Sequence, residues 1–293
     1  MRQLPQAISY RMQVFYTGAE WATIRSNFHA ENLSIGLVPT MGALHEGHLD
    51  LVAQCVKAST ISVVSIFVNP IQFNNPEDFE KYPSSLQEDL ELLEKAGVDY
   101  VFVPEVKTMY PQETKLRFDF GSVERILEGA FRPGHFNGVG IIVSKLFNII
   151  QPDLAFFGQK DLQQVAVIKR LVQDLSFPIE LKIVPTRRET DGLALSSRNR
   201  RLSPEDRKKC LILYESMILA QKELFEGKKW LEVQGEISQN FKHCEGVELE
   251  YFELVEPDQF ELLNEFDPNQ KVSICVAAYV GPVRLIDNLP LNA

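Results

Sequence analysis

The sequence predicts an α/β protein: a Rossmann-like parallel sheet with helices on both faces, followed by a smaller α+β C-terminal domain. Three observations carry this. Short β-branched runs alternate with helical stretches through the first two thirds of the chain, as βαβ units require. The texture changes after Arg201, where helices are followed by runs that read as antiparallel strands. At about 150 residues per domain, a length of 293 favours two.

Buried strands are expected over residues 34–39, 61–69, 99–104, 153–158 and 179–185. Between them lies a helix over 48–58 with Leu49, Val52 and Val56 on one face, and a helix over 86–95 that is charged outside. A third, over 161–174, carries Leu162, Val165, Ile168, Leu171 and Val172. The apolar stretch 139–150 is far shorter than the ~20 residues of a membrane span and contains Lys145, so it reads as a core helix. Ser203-Pro204-Glu205-Asp206 opens a helix with a Ser cap, Pro at the first helical position and acids in the first turn; Gly227 is its stop. A helix over 231–242 then leads to strands over 248–255, 271–279 and 282–286. The polar stretch around Thr186 to Thr190 places the domain boundary between 186 and 187, giving units 1–186 and 187–293. The second unit either acts as a lid or lays the face bearing Leu213, Tyr214, Met217 and Leu224 over the first unit's core; the polar junction favours the lid.

Composition narrows the function. With 45% hydrophobic and 24% charged residues the chain is an ordinary globular protein. Thirty Lys+Arg against 40 Asp+Glu give a net charge of −10, with a pI near 5.1, so no overall positive field draws in nucleic acid. The N-terminus, MRQLPQAISYRMQVFY, has no apolar stretch of signal-peptide length, and a cytoplasmic protein is expected, with no membrane partner. Cys55, Cys210, Cys244 and Cys275 are scattered without a CxxC pair, which argues against zinc and disulfides and for reduced, packed thiols.

The unusual residues fall where strands end: Pro39-Thr40-Met41-Gly42, Asn69-Pro70-Ile71-Gln72-Phe73, Gly158-Gln159-Lys160-Asp161 and Pro185-Thr186-Arg187-Arg188. Ligands of open parallel sheets bind at that edge. The first segment runs on through Ala43 and Leu44 into His45-Glu46-Gly47-His48, opening a helix. The positive end of a helix favours an anion, two imidazoles three residues apart face one ligand, and Gly47 lets it approach the backbone. A zinc HExxH motif needs its histidines four apart, and no GK[ST] of a phosphate-binding P-loop occurs. Leu195-Ser196-Ser197-Arg198-Asn199 supplies hydroxyls and a guanidinium suited to a pyrophosphate leaving group, and Lys160 adds positive charge. The pair resembles the HIGH and KMSKS elements of adenylate-forming class I synthetases and nucleotidyltransferases.

Taken together, PTMGALHEGHLDLV, FVNPIQF, RPGHFNGV, FFGQKDLQQ and DGLALSSRN resemble the pantothenate synthetase family, ATP-dependent ligases joining pantoate to β-alanine, in order and over essentially the whole chain. Leu195 stands where many members have Met, and Arg187 where a smaller apolar residue is common. The resemblance implies ATP as co-substrate with Mg2+, and ATP contacts from Met41, Gly42, Ala43, Leu44, His45, Glu46, Gly47, His48, Gly158, Gln159, Lys160, Asp161, Arg187, Leu195, Ser196, Ser197 and Arg198. It implies catalytic roles for His48, His45, Lys160 and Arg198, with acid catalysis from His48. No protein metal site is implied. Gln72 and Gln164 would hold pantoate, each amide offering a donor and an acceptor, and Met41, Phe73 and Pro39 would line a pocket for its methyls. Asp161 is a ribose or metal contact, or the N-terminal acid of its helix; Arg132 and His135 close over the site or brace a loop. A homodimer is the family's usual assembly. A nucleotidyltransferase acting on a phosphate monoester would want Arg or Lys where Gln72 and Gln164 stand. A tRNA synthetase would want basic patches, and a silent nucleotide-binding regulator would have lost Lys160 or a histidine.

Overall fold

The structure, a computed structural model, describes residues 12–292 except 32, 75–78, 81 and 84; most of the N-terminal stretch read above, residues 1–11, lies outside the described residues. Strands β1 (Gln13–Phe15), β2 (Ile35–Thr40), β3 (Ile61–Ile66), β4 (Tyr100–Phe102), β5 (Leu154–Gly158) and β6 (Glu180–Val184) form one parallel sheet in the order β1-β4-β3-β2-β5-β6. Adjacent residues of a strand point to opposite faces, and both faces here are apolar. Leu37, Val63 and Phe102 meet Trp21 of helix α1 (Gly18–Ala30), while Val38, Val64 and Val101 meet Val52 and Cys55 of α2 (Glu46–Ala58) and Leu93 of α3 (Leu86–Lys95). Helices α4 (His135–Ile150) and α5 (Leu162–Asp174) join α1 on the first face through Val143, Leu146, Val165 and Ile168. Helices therefore cover both faces, as predicted.

β1 and α1 leave little trace in the sequence pattern. A three-residue strand has no measurable alternation, and α1 has no clean apolar stripe. A local signal was nevertheless present: Thr17-x-x-Glu20 is a reciprocal cap, in which Thr17 Oγ1 accepts from the Glu20 amide at 3.2 Å and Glu20 Oε2 accepts from the Thr17 amide at 3.1 Å. β3 ends at Ile66 rather than 69, because Asn69-Pro70 turns the chain into a single 3-10 turn, Pro70–Gln72.

In the second unit, a short helix Pro204–Lys209 with Ser203 as its cap leads to α6 (Leu211–Phe225) and α7 (Trp230–His243). These cover an antiparallel sheet of β7 (Val247–Glu256), β8 (Glu261–Leu262), β9 (Ser273–Val280) and β10 (Val283–Pro290), in the order β10-β9-β7-β8. Leu213, Met217 and Leu224 pack with Val233, Ile237, Ile274 and Val276 in this unit's own core, so that face does not cover the first unit. Cys55, Cys210 and Cys275 are buried thiols and Cys244 a half-buried one.

The contact between the units corrects the expectation of a polar junction. Leu127, Leu162 and Ala166 of the first unit pack against Tyr251, Val255, Phe260, Cys275 and Ala277 of the second. Beside this apolar seam, buried Glu128 takes two hydrogen bonds from Arg284, at 2.9 and 2.5 Å, and one from the Tyr251 hydroxyl at 2.8 Å. Burial works to raise the Glu128 pKa, but Arg284 and then Arg132 outweigh it and hold it at about 2. A bulge in β7 at Glu250 aims that carboxylate at the same guanidinium, 2.6 Å away. Such a seam resists opening more than a polar one.

Candidate active site

The chain runs outward from β2 through β3 to β4, then returns to the other side of β2 to form β5 and β6. The switch point of the sheet is thus between β2 and β5, and the loops after these strands flank it. A cavity of about 210 Å³ opens there, and a second of about 310 Å³ continues it along the seam, sharing Arg132, Lys160, Asp161, Ser196 and Arg198.

The loop after β2 is shaped by a residue the sequence did not flag. Asp89 of α3, 1% exposed, accepts from the amides of Ala43 at 2.8 Å and Leu44 at 2.7 Å. Gly42 has φ +78°, and a Cβ there would stand 2.9 Å from Asp89 Oδ2, so the turn needs glycine. The loop then delivers Met41 to one side of the cavity and His45, as N-cap of α2, to the other. The residues of this stretch differ in how they meet the cavity. Gly42, Ala43 and Leu44 are the buried part of the loop, with their amides committed to Thr40 or Asp89, and Glu46 is exposed; none lines the cavity.

The His45 and His48 rings lie 4.0 Å apart. His48 Nδ1 accepts from the His45 amide at 3.4 Å, which leaves the proton of the neutral ring on Nε2, a donor. His45 Nδ1 is buried without a protein partner. Burial first, then Lys160 and Arg200, lowers the His45 pKa to about 4; burial, His45, Lys160 and Arg200 lower that of His48 to about 3. Both rings are uncharged at neutral pH. Without bound nucleotide they are neutral hydrogen-bonding groups.

Across the switch point, Gly158, Lys160, Asp161 and Gln164 line the cavity, while Gln159 does not. The Lys160 loop is braced from the second unit: Asn288 Nδ2 of β10 donates to the carbonyls of Gln159 at 2.9 Å and Lys160 at 2.8 Å. Lys160 Nζ stands 3.8 Å from Asp161 Oδ1. Two neighbouring glutamines on α5 divide their work. Gln163, 3% exposed, donates to the carbonyls of Val123 and Ile126 and accepts from the Glu128 amide, whereas Gln164 faces the cavity.

From the far side Arg187, Leu195, Ser196, Ser197 and Arg198 complete the lining. Arg187 Nη1 reaches Asp50 at 3.5 Å, so its guanidinium is directed to a surface carboxylate. Ser196 caps the turn Ser197–Arg201 by accepting from the Arg198 amide, and Ser197 Oγ lies 3.3 Å from the Tyr82 hydroxyl. Arg200, outside the predicted set, donates to the Leu44 carbonyl at 3.2 Å and ties the two loops together.

Gln72, Met41, Phe73 and Pro39 line the same cavity, and Val139, Ile142 and Val143 of α4 add an apolar floor, where the sequence pattern indicates only core. Gln72 is 7% exposed, and its Nε2 lies 3.0 Å from Met41 Sδ. His135 braces its backbone: Nδ1 donates to the Gln72 carbonyl at 2.9 Å and Nε2 accepts from Arg132 at 3.1 Å. Burial, then Arg132, lowers the His135 pKa to about 3, so it too is neutral.

A parallel sheet whose switch point holds paired histidines, a lysine and a serine-arginine loop defines a nucleotide-using α/β enzyme of the HxGH type. The comparisons with known proteins are more specific. Residues 13–290 match the family Pantoate-beta-alanine ligase, and the chain belongs to it. It is 48% identical over 260 residues to the pantothenate synthetase of Cytophaga hutchinsonii, covering 88% of this chain and 92% of the relative. With that of Thermoanaerobacter pseudethanolicus it is 48% identical over 275 residues, 92% and 95% of the two chains. The crystal structure of the Thermus thermophilus pantothenate synthetase superposes with a TM-score of 0.88 at 40% identity, covering 96% of this chain and all of that one. That of the Francisella tularensis pantoate-beta-alanine ligase, described as complexed with beta-gamma ATP and beta-alanine, does so with 0.79 at 35% identity, covering 96% and 98%.

Proposed function

We propose that this chain condenses pantoate with β-alanine in two steps at the cleft: the pantoate carboxylate attacks the α-phosphorus of ATP, giving pantoyl adenylate and pyrophosphate, and the β-alanine amine then attacks the acyl carbon and expels AMP. The observation that carries the reading is that Gln72 and Gln164 share one cavity with His45, His48, Lys160 and Arg198. A carboxylate is already ionised at pH 7, so adenylation needs no general base; it needs alignment and charge neutralisation. Neutral amides orient the nucleophile without quenching it, as an arginine would. Lys160 and Arg198 carry the positive charge toward the phosphates, with Ser196, Ser197 and the neutral histidines as donors. Met41, Phe73 and the α4 floor receive the geminal methyls of pantoate.

Asp161, the acid among the described residues lining this cavity, would hold a Mg2+ bound with the nucleotide, and the metal would supply charge neutralisation at the phosphates. Of the expected nucleotide contacts, Met41, His45, Gly47, His48, Gly158, Lys160, Asp161, Arg187, Leu195, Ser196, Ser197 and Arg198 line the cavity, which supports assigning the nucleotide to it. The same reading assigns the sheet unit to residues 1–186 and the second unit to 187–293, the working assembly to a homodimer, the commonest closed arrangement, and its place to the cytoplasm. The test is AMP release from ATP, Mg2+, pantoate and β-alanine with each omitted in turn. Release only from the complete mixture supports the reading; release independent of pantoate refutes it.

A further inference from the structure

The turn after β3 carries a chain of hydrogen bonds whose direction is fixed by a backbone carbonyl. Asn69, 1% exposed, donates from Nδ2 to the Gly138 carbonyl at 3.1 Å and to Gln72 Oε1 at 2.9 Å, while its Oδ1 accepts from the Tyr110 hydroxyl at 2.7 Å. A carbonyl can only accept, so the amide nitrogen of Asn69 has to face Gly138. That nitrogen also faces Gln72, which must answer with its oxygen. Gln72 is left with Nε2 turned toward Met41 and the cavity.

Reversing the Gln72 amide would set two NH2 groups against each other; reversing Asn69 would set its oxygen against the Gly138 carbonyl. Tyr110 closes the arrangement from the other end. Burial pushes its phenol far above the ordinary range, so it remains a protonated donor. The ring is held independently of the hydroxyl, near Phe67 and beneath Lys145 Nζ, 5.3 Å from its centroid. Gly138 lets α4 come this close: a Cβ there would stand 2.5 Å from the Ile71 carbonyl oxygen and 2.7 Å from Gln72 Cα.

We infer that Tyr110 is a positioning residue for pantoate: together with the Gly138 carbonyl it holds Asn69, and through Asn69 the Gln72 amide, so that Gln72 offers the substrate hydrogen-bond donors only. This rests on the assignment of Gln72 to pantoate, and it narrows the expectation that each amide offers a donor and an acceptor. The pantoate atom opposite Gln72 is then an acceptor, a carboxylate or hydroxyl oxygen.

The test is steady-state kinetics of the full-length enzyme carrying Tyr110→Phe, Gln72→Ala and both. Tyr110→Phe should raise the KM for pantoate five- to tenfold, the effect of one lost hydrogen bond, with the KM values for ATP and β-alanine and kcat within twofold. In the Gln72→Ala background the same change should add nothing, because the amide it orients is gone. Asn69→Asp, which presents acceptors to both Gly138 and Gln72, should raise the pantoate KM further, and it carries the test if Tyr110→Phe fails to fold. An unchanged pantoate KM in Tyr110→Phe, an equal rise for ATP, or the same factor in the Gln72→Ala background overturns the relay and leaves the pantoate site standing. If Gln72→Ala itself uses pantoate as well as wild type does, the site assignment falls and the relay with it.

Discussion

Asp89→Ala tests whether one buried carboxylate holds the histidine loop in its working shape. The substitution leaves the amides of Ala43 and Leu44, now bonded at 2.8 and 2.7 Å, inside the protein without an acceptor. An unsatisfied buried donor costs about 1–3 kcal/mol, so the pair should cost about 4 kcal/mol. In a chain of this length each kcal/mol lowers Tm by about 2 °C, and calorimetry should find a fall of about 8 °C. Asp89→Asn keeps one acceptor and turns an NH2 toward the other amide, for about 2–3 kcal/mol. Activity should fall more than stability suggests. Met41 and His45 sit on the two ends of this loop, and a shift of about 1 Å in a positioning element costs about 10²-fold in rate. The assay is pantothenate formation at 25 °C, well below either Tm. A variant with wild-type Tm and turnover would show that Asp89 does not shape the loop.

Three further outcomes follow from the geometry. Gln164→Ala should impair pantoate use by about 1–3 kcal/mol in kcat/KM with Tm unchanged, whereas Gln163→Ala, which strips three buried hydrogen bonds, should lower Tm and spare pantoate KM; the reverse pattern would exchange their roles. A chain ending at Arg201 exposes Leu127, Leu162 and Ala166, and should be insoluble on expression and centrifugation; a soluble, folded fragment would deny that the seam holds the units together. His135, His45 and His48 have native pKa values of about 3 to 4, below the ordinary 6.5, so as pH falls through 6.5 the unfolded chain takes up protons that the native one does not. Stability should therefore drop between pH 6.5 and 4, by about 2 kcal/mol at pH 5 for buried His135 alone. His135→Asn, which can still donate to the Gln72 carbonyl, should flatten the fall in Tm from pH 7 to 5; an unchanged slope would mean that His135 is not held neutral.

What the sequence made legible was what periodicity and turn chemistry encode. The strand runs Leu37-Val38 and Val63-Val64 are apolar at consecutive positions because both sheet faces are covered, and that pattern predicts the buried parallel sheet. The turn residues after β2, β3 and β5 mark the edge where the cavity lies. What stayed hidden depends on contacts distant in sequence. Asp89 lies 46 and 45 residues from the amides it binds, and in sequence it is one acid among several on a charged helix. Gln163 and Gln164 are chemically identical neighbours, separated only by the direction in which α5 points them. The Ser203-Pro204 start of the second unit was readable, but the apolar seam was not, since Leu127, Leu162 and Phe260 belong to three separate segments. The charge state of the histidines is hidden too, because burial and the nearby Lys160 and Arg200, distant in sequence, set it.

The most direct test of the two-step account is exchange of labelled pyrophosphate into ATP with Mg2+ and pantoate and no β-alanine. Formation of pantoyl adenylate before the amine is required predicts exchange under these conditions, lost when pantoate is omitted and reduced about 10²-fold or more in Lys160→Ala, which lacks one preorganised donor to the transferring phosphate. Exchange that appears only when β-alanine is added would contradict it.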